Sequence, residues 1–299
     1  MKIIDNTLAR INSFQQDHAV IGLPYAIIKR FSEQKAGYQA ALITYYGFLS
    51  LFPLLLVATS IVGLLVQNNQ ELETKIMATI STYFPVIGEQ LTENIHASSA
   101  SGWPLVIGMI IALYGARGGM DAFRSAINHV WGISSSKQPG FPESLFTSIA
   151  MIIVGGIGLY SAALLSTYTA GLGSSLFFKL LSLIVSIGLL LPTFYFLFTA
   201  ALGLHAANHT DRMLMAASST VGIVTVQGIG GYLVTSQLNK LSPLYGTFAL
   251  VLGLLFWIYL QAVIVMYCAE TRVVRKYKLW PRSLVGKLIT EGDRQAARR

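Results

Sequence analysis

Residues 114–131 read YGARGGMDAFRSAINHVW and follow directly on WPLVIGMIIAL at 103–113. The earlier stretch is apolar enough to enter lipid. Two arginines and an aspartate nevertheless arrive before it reaches spanning length, about 20 residues. Either the helix stops at Arg117 or it continues with a changed surface. At about 100° per residue, Arg117, Asp121, Arg124 and Asn128 share one stripe roughly 60° wide. Ala116, Met120, Phe123, Ile127 and Val130 fill the adjoining apolar face. The periodicity therefore predicts a helix that continues to residue 133, charged on one side only. Asp121 has Arg117 at i−4 and Arg124 at i+3, positions that meet on a helix surface. Two readings of the stripe compete: arginines snorkelling to headgroups at the end of a tilted helix, or a polar lining turned toward the bundle interior. Confinement of the charges to one face favours the lining.

The rest of the chain has the same apolar character. Of its 299 residues 54% are hydrophobic and only 11% charged, with a mean hydropathy of +0.59. A soluble domain carries about 25% charged residues, so too few remain here to cover a globule and most of the surface faces lipid. Five more segments have spanning length, at 40–66, 145–171, 176–203, 213–235 and 243–270. With 103–133 they make an all-α polytopic bundle of six transmembrane helices, which puts both termini on one side. Eighteen of the 21 Lys and Arg residues fall on that side, and only Lys75, Lys179 and Lys240 on the other. Positive loops stay in the cytoplasm, so both termini are expected there. The net charge of +8 is then a topology signal, and no nucleic-acid partner is expected. The expected organisation is a cytoplasmic amphipathic segment (1–36), a membrane domain (37–271) and a basic cytoplasmic tail (272–299).

Weaker signals fill in this frame. MKIIDNTLARINSFQQDH at the start has no apolar core of signal-peptide type. Amphipathic patterns lie on each side of Gly22 and Pro24, as in a segment along the inner face. Short amphipathic helices broken at Pro85 are expected outside, between the first two spans. The tail reads as solvated and in touch with anionic headgroups. Glu270, the acid ending the last span, is either an interfacial carboxylate or the partner of Arg117 or Arg124. Gly115 and Gly119 form a GxxxG spacing that permits close helix approach. Tyr45, Ser50 and Gln261 read as interhelical polar contacts. Pro53 and Pro192 interrupt the first and fourth spans, corresponding positions if two three-helix halves form an inverted repeat. His205, His209 and Asp211 have metal-ligand spacing, but Asn208, Thr210 and Asp211 read better as turn and cap residues. Cys268 is the sole cysteine, which excludes an intrachain disulfide and a Cys-based zinc site. No HExxH, Walker loop or GxSxG occurs; neither enzyme activity, metal nor cofactor is expected.

AALITYYGFLSLFPLLL (40–56), the 103–133 stretch and SPLYGTFALVLGLLFWIYLQAVIVMYCAE (242–270) together resemble the YihY/virulence factor BrkB family. The resemblance is carried by the Tyr45–Tyr46 pair before LSLFP, Asn128 before Trp131–Gly132, and the late series Tyr245–Gly246, Trp257, Tyr259 and Ala269–Glu270. Cys268 stands where the family commonly has glycine. The resemblance implies a six-helix bacterial inner-membrane protein, with links to the cell envelope. It also carries an older label, ribonuclease BN, for which the sequence supplies no paired acids, bases or metal ligands. The leading expectation is a transporter or translocase of lipid or envelope precursor. Arg117 and Arg124 would attract an anionic lipid or small anionic substrate, while Asp121 and Glu270 hold or release them. The alternative is a non-transporting envelope scaffold; a membrane-bound ribonuclease comes third.

Overall fold

The computed structural model describes residue 14 and residues 18–50, 103–134, 140, 142–171, 175–283 and 290–297. All regular structure among them is helical. We number the helices α1 (Ala19–Glu33), α2 (36–50), α3 (Trp103–Val130), α4 (Glu143–Gly171), α5 (Leu176–Ala206), α6 (His209–Lys276) and α7 (Glu291–Ala297). The stretch 51–102, with Pro53 and the expected outer helices, lies outside the described residues. The chain divides into two compact units. One comprises Met1–Ala41, Met120–Leu233 and Tyr259–Arg299; the other comprises Leu42–Gly119 and Val234–Ile258.

The opening stretch does stay helical through Arg117, to Val130. What ends it is local: Gly132 takes a left-handed φ of 69°, which costs glycine nothing. Ile133 N–H then reaches back to Asn128 O at 2.9 Å and Gly132 N–H to His129 O at 3.0 Å, closing the helix in a Schellman turn. α1 runs unbroken through Gly22 and Pro24, where two separate amphipathic patterns are expected from the sequence. α5 likewise keeps helical dihedrals at Pro192; its departure falls at Gly203, with φ 67° and ψ 175°. The expected break is thus shifted to a glycine, which leaves the helix at positive φ without strain.

The residues of α6 are helical from His209 to Lys276, 68 in all. A straight helix would hold Asp211 and Arg272 about 90 Å apart at 1.5 Å per residue. Instead Arg272 Nε donates to Asp211 Oδ1 at 2.7 Å, and a Cβ on Gly222 would stand 2.6 Å from Ile264 Cγ2. The chain therefore doubles back between residues 222 and 264, with both pairs centred close to Pro243. These legs correspond to the segments 213–235 and 243–270. The side chains of residues 228–250, Tyr245 among them, are outside the described set, and of Gly246 only the helical backbone is described.

Leu176–Gly203 and Val251–Lys276 are long and apolar enough to cross a membrane, at 28 and 26 residues with mean hydropathy 2.2 and 2.1. Only 28% and 17% of their most apolar windows are buried, whereas the core helix of a soluble protein would be mostly covered. Large apolar side chains point outward elsewhere too: Ile110 and Tyr114 on α3, Phe146 and Ile157 on α4, Phe177 and Ile184 on α5. Water penalises such exposure at about 25 cal/mol per Å², and lipid does not.

Inside the first unit, small residues let helices approach. Ala122, Ala126, Ile127 and Val130 of α3 are buried with Met151 of α4, Phe198 of α5 and Met266 of α6. A Cβ on Gly158 of α4 would overlap Thr193 of α5, 2.0 Å from its Oγ1. In the second unit a Cβ on Gly115 would lie 3.2 Å from Ser50 Cα, and one on Gly118 2.5 Å from the Tyr46 ring; the approach to α2 uses Gly118 as well as Gly115 and Gly119.

Candidate functional site

Burial along the α3 stripe increases toward its C-terminal end. Arg117 and Asp121 are half-buried, whereas Arg124 is 7% and Asn128 3% exposed. Arg124 Nη2 donates to Asp121 Oδ1 at 3.1 Å, the i,i+3 pair that the spacing allows. Ser148 of α4, itself fully buried, donates its hydroxyl to the same Oδ1 at 2.7 Å. The other two guanidinium nitrogens of Arg124, Nε and Nη1, are buried without a hydrogen-bond partner, as is the indole Nε1 of Trp131.

Glu270 has a partner that the sequence does not single out. Its carboxylate is fully buried, and Oε2 accepts from Arg30 Nε at 2.7 Å; Arg30 Nη2 also donates to Val130 O at 3.0 Å. Neither Arg117 nor Arg124 is its ion-pair partner. The sign of Arg30's role is legible in retrospect: the buried face of α1 is Gly22, Ala26 and Arg30, a small-residue stripe at intervals of one turn that ends on a cation. Oε1 of Glu270 is left buried without a donor. An ion pair this deep need not stabilise a protein, but it strongly constrains which helices meet.

A second cluster forms around Asp211, 2% exposed, which accepts from Arg272 and Lys276 on the returning leg of α6. Asn208 N–H donates to it at 3.3 Å, as in a helix cap. Burial would push the Asp211 carboxyl up, but the Lys276 and Arg272 bonds and the Asn208 N–H outweigh it and hold it below the usual carboxylate range. Lys276 Nζ also sits 4.7 Å from the Trp131 ring centre, a cation–π contact. His209 lies beside Tyr195, and among the described residues no group of three metal-ligating side chains gathers.

A third cluster corrects the picture of a solvated tail. Arg282, 3% exposed, donates to both Glu33 carboxylate oxygens at 2.6 Å and to Asp293 Oδ1 at 2.7 Å. Lys29 Nζ reaches Asp293 Oδ1 at 3.0 Å and Ser283 O at 2.7 Å. Burial would raise the Asp293 carboxyl, yet the Thr290 hydroxyl, the Ser283 N–H and Lys29 hold it well below the usual range. A Cβ on Gly292 would stand 2.4 Å from Pro281 O, so α7 lies directly on the chain leaving α6. Described residues after Lys276 are thus strapped to α1 by ion pairs and hydrogen bonds.

A chain whose described elements are all helices, whose long apolar helices expose their apolar faces, and whose charges pair inside, is a membrane protein. The family model described as Virulence factor BrkB matches residues 27–284, and the chain belongs to that family. It is 24% identical over 260 residues to the putative ribonuclease-like protein YfkH of Bacillus subtilis (strain 168), covering 82% of this chain and 91% of that one. It is 24% identical over 281 residues to the inner membrane protein YhjD of Escherichia coli (strain K12), covering 85% and 81%. A UPF0761 membrane protein of Chromohalobacter salexigens is 25% identical over 258 residues, covering 82% and 60%. No solved structure matches the chain.

Proposed function

We propose that the protein is a six-span inner-membrane translocase, with both termini cytoplasmic, that moves a lipid or envelope precursor bearing an anionic group. It performs no covalent chemistry in this reading. One observation supports it: Arg124, on the helix read as the second span, is buried, and two of its three guanidinium nitrogens lack an acceptor. Buried donors are rarely left unmet, and intramembrane charges usually mark substrate paths. Asp121, half-buried on the same stripe, would form the approach, with Asn128 and Glu270 at the closed end.

A second reading, a non-transporting envelope scaffold, draws support from the enclosed Arg30–Glu270 pair, which needs no ligand to explain its cation. Mass spectrometry of lipids and metabolites that copurify with wild type, Arg117→Ala and Arg124→Gln separates the two. Selective loss of an anionic species from the variants is expected of a translocase; identical profiles would favour the scaffold. Fluorescence of green fluorescent protein fused to the C-terminus tests the cytoplasmic placement, and a dark fusion would refute it.

A further inference from the structure

The geometry around Asp121 defines what kind of anion the Arg124 site takes. Arg124 Nη2 and the Ser148 hydroxyl converge on one point, which is filled by Asp121 Oδ1 at 3.1 and 2.7 Å. Three features make Asp121 an incomplete occupant. Its single contact with the guanidinium leaves Nε and Nη1 buried and unmet, where a matched anion would bond in a bidentate fork. Its short side chain, anchored three residues back on the same helix, approaches the guanidinium from one side. Its carboxylate is also the accessible member of the pair: the Asp121 side chain is 35% exposed against 9% for Arg124. Asp121 is thus the member of the pair with room to shift, while Arg124 and the fully buried Ser148 stay in place.

We propose that Arg124 and Ser148 form a binding site for a phosphate-type oxyanion, a phosphomonoester or phosphodiester, and that Asp121 is a displaceable stand-in for it. A tetrahedral anion brings several oxygens to donors that now share one. Ser148 keeps its role through the exchange, because its hydroxyl donates equally to a carboxylate or a phosphate oxygen. Asp121 then sets the affinity by competing, which lets a bound anion leave again. The purpose of the site rests on the translocase reading; its chemistry rests on these contacts. The phosphate could belong to a lipid headgroup or to a free anion.

The test uses the full chain in phosphate-free maltoside detergent, titrated calorimetrically with inorganic phosphate and with dihexanoyl phosphatidate, dihexanoylglycerol being the uncharged control. Asp121→Asn is expected to tighten binding of one or both phosphate probes by about two- to five-fold, the scale of losing a partly exposed competing ion pair. Asp121→Glu, which keeps the charge, should stay near wild type. Arg124→Gln should remove binding in either background, and Ser148→Ala should weaken it several-fold. Tightening for phosphatidate alone assigns the site to a headgroup, and tightening for inorganic phosphate as well assigns it to the free anion; both support the site. If Asp121→Asn leaves Arg124-dependent binding unchanged, the stand-in is overturned and the translocase reading survives. Binding indifferent to Arg124→Gln, or absent from wild type and Asp121→Asn alike, overturns the site itself. Size-exclusion elution and the thermal midpoint confirm that each variant is folded.

Discussion

Replacing Arg30 by methionine removes the charge while keeping a long side chain in place. Glu270 is then left fully buried with Oε1 still lacking a donor and Oε2 stripped of its own, and Val130 O loses the bond at 3.0 Å. Removing one partner of a buried ion pair costs about 3–5 kcal/mol, because it leaves a charge uncompensated. For chains of this order each kcal/mol lowers the unfolding midpoint by about 2–4 °C, less as size increases, so a fall of roughly 6–12 °C is expected. Glu270→Gln should cost less than Arg30→Met, since the amide oxygen can still accept from Arg30 Nε. The double variant should melt above Arg30→Met, because nothing charged is then left buried. Intrinsic fluorescence during heating, in one detergent and at one scan rate, reads all three as apparent midpoints. The reasoning fails if Arg30→Met melts within about 2 °C of wild type, or if the double variant falls by the two single losses combined, which would mean the groups are not coupled.

Other perturbations probe the remaining contacts. Gly158→Ala drives a methyl into the Thr193 side chain; a loss of about 1–3 kcal/mol is expected, and Thr193→Ala on the same chain should recover only part of it in thermal melts, because Thr193 Cβ itself stands 2.8 Å from the added methyl. Gly292→Ala meets backbone at Pro281 and Leu279, which cannot turn aside; hydrogen exchange over Glu291–Ala297 should accelerate while α4 and α5 are unchanged. Asp293 has its folded carboxyl below the unfolded value of about 3.9, so its contribution is present above that pH and is lost as pH falls through the folded value. Exchange over the same segment should therefore hold steady from pH 8 to pH 5, after correction for intrinsic rates, and rise only below about pH 4; release near neutrality would contradict the assignment. Asp211→Ala leaves Arg272 and Lys276 facing each other without their shared anion, and should lower the melting midpoint more than Thr210→Ala, its exposed neighbour.

Much of the helical frame can be read from residues close together in the chain. Hydropathy marks the long apolar stretches, and a 3.6-residue period shows that α3 continues past Arg117 and carries its charges on one face. The Asp121–Arg124 pair follows from that period, as does the Gly115–Gly119 spacing that leaves room for a neighbour, because both are set within one or two helical turns. The segments 213–235 and 243–270 likewise announce two legs, although only the contacts of Asp211 and Gly222 show that one run of helix folds back between them.

What the tertiary structure alone decides is which distant groups meet. Arg30 and Glu270 lie 240 positions apart, and the stripe of Gly22 and Ala26 that leads to Arg30 marks a buried face without naming the partner it meets. Ser148 is an ordinary helix residue until α4 brings its hydroxyl to Asp121. Arg282 and Asp293 read as solvated tail until Lys29 and Glu33 are set beside them. Local periodicity fixes the direction in which a side chain leaves its helix. The partner it finds there depends on how helices pack, and a charge of given sign accepts any opposite charge that packing delivers.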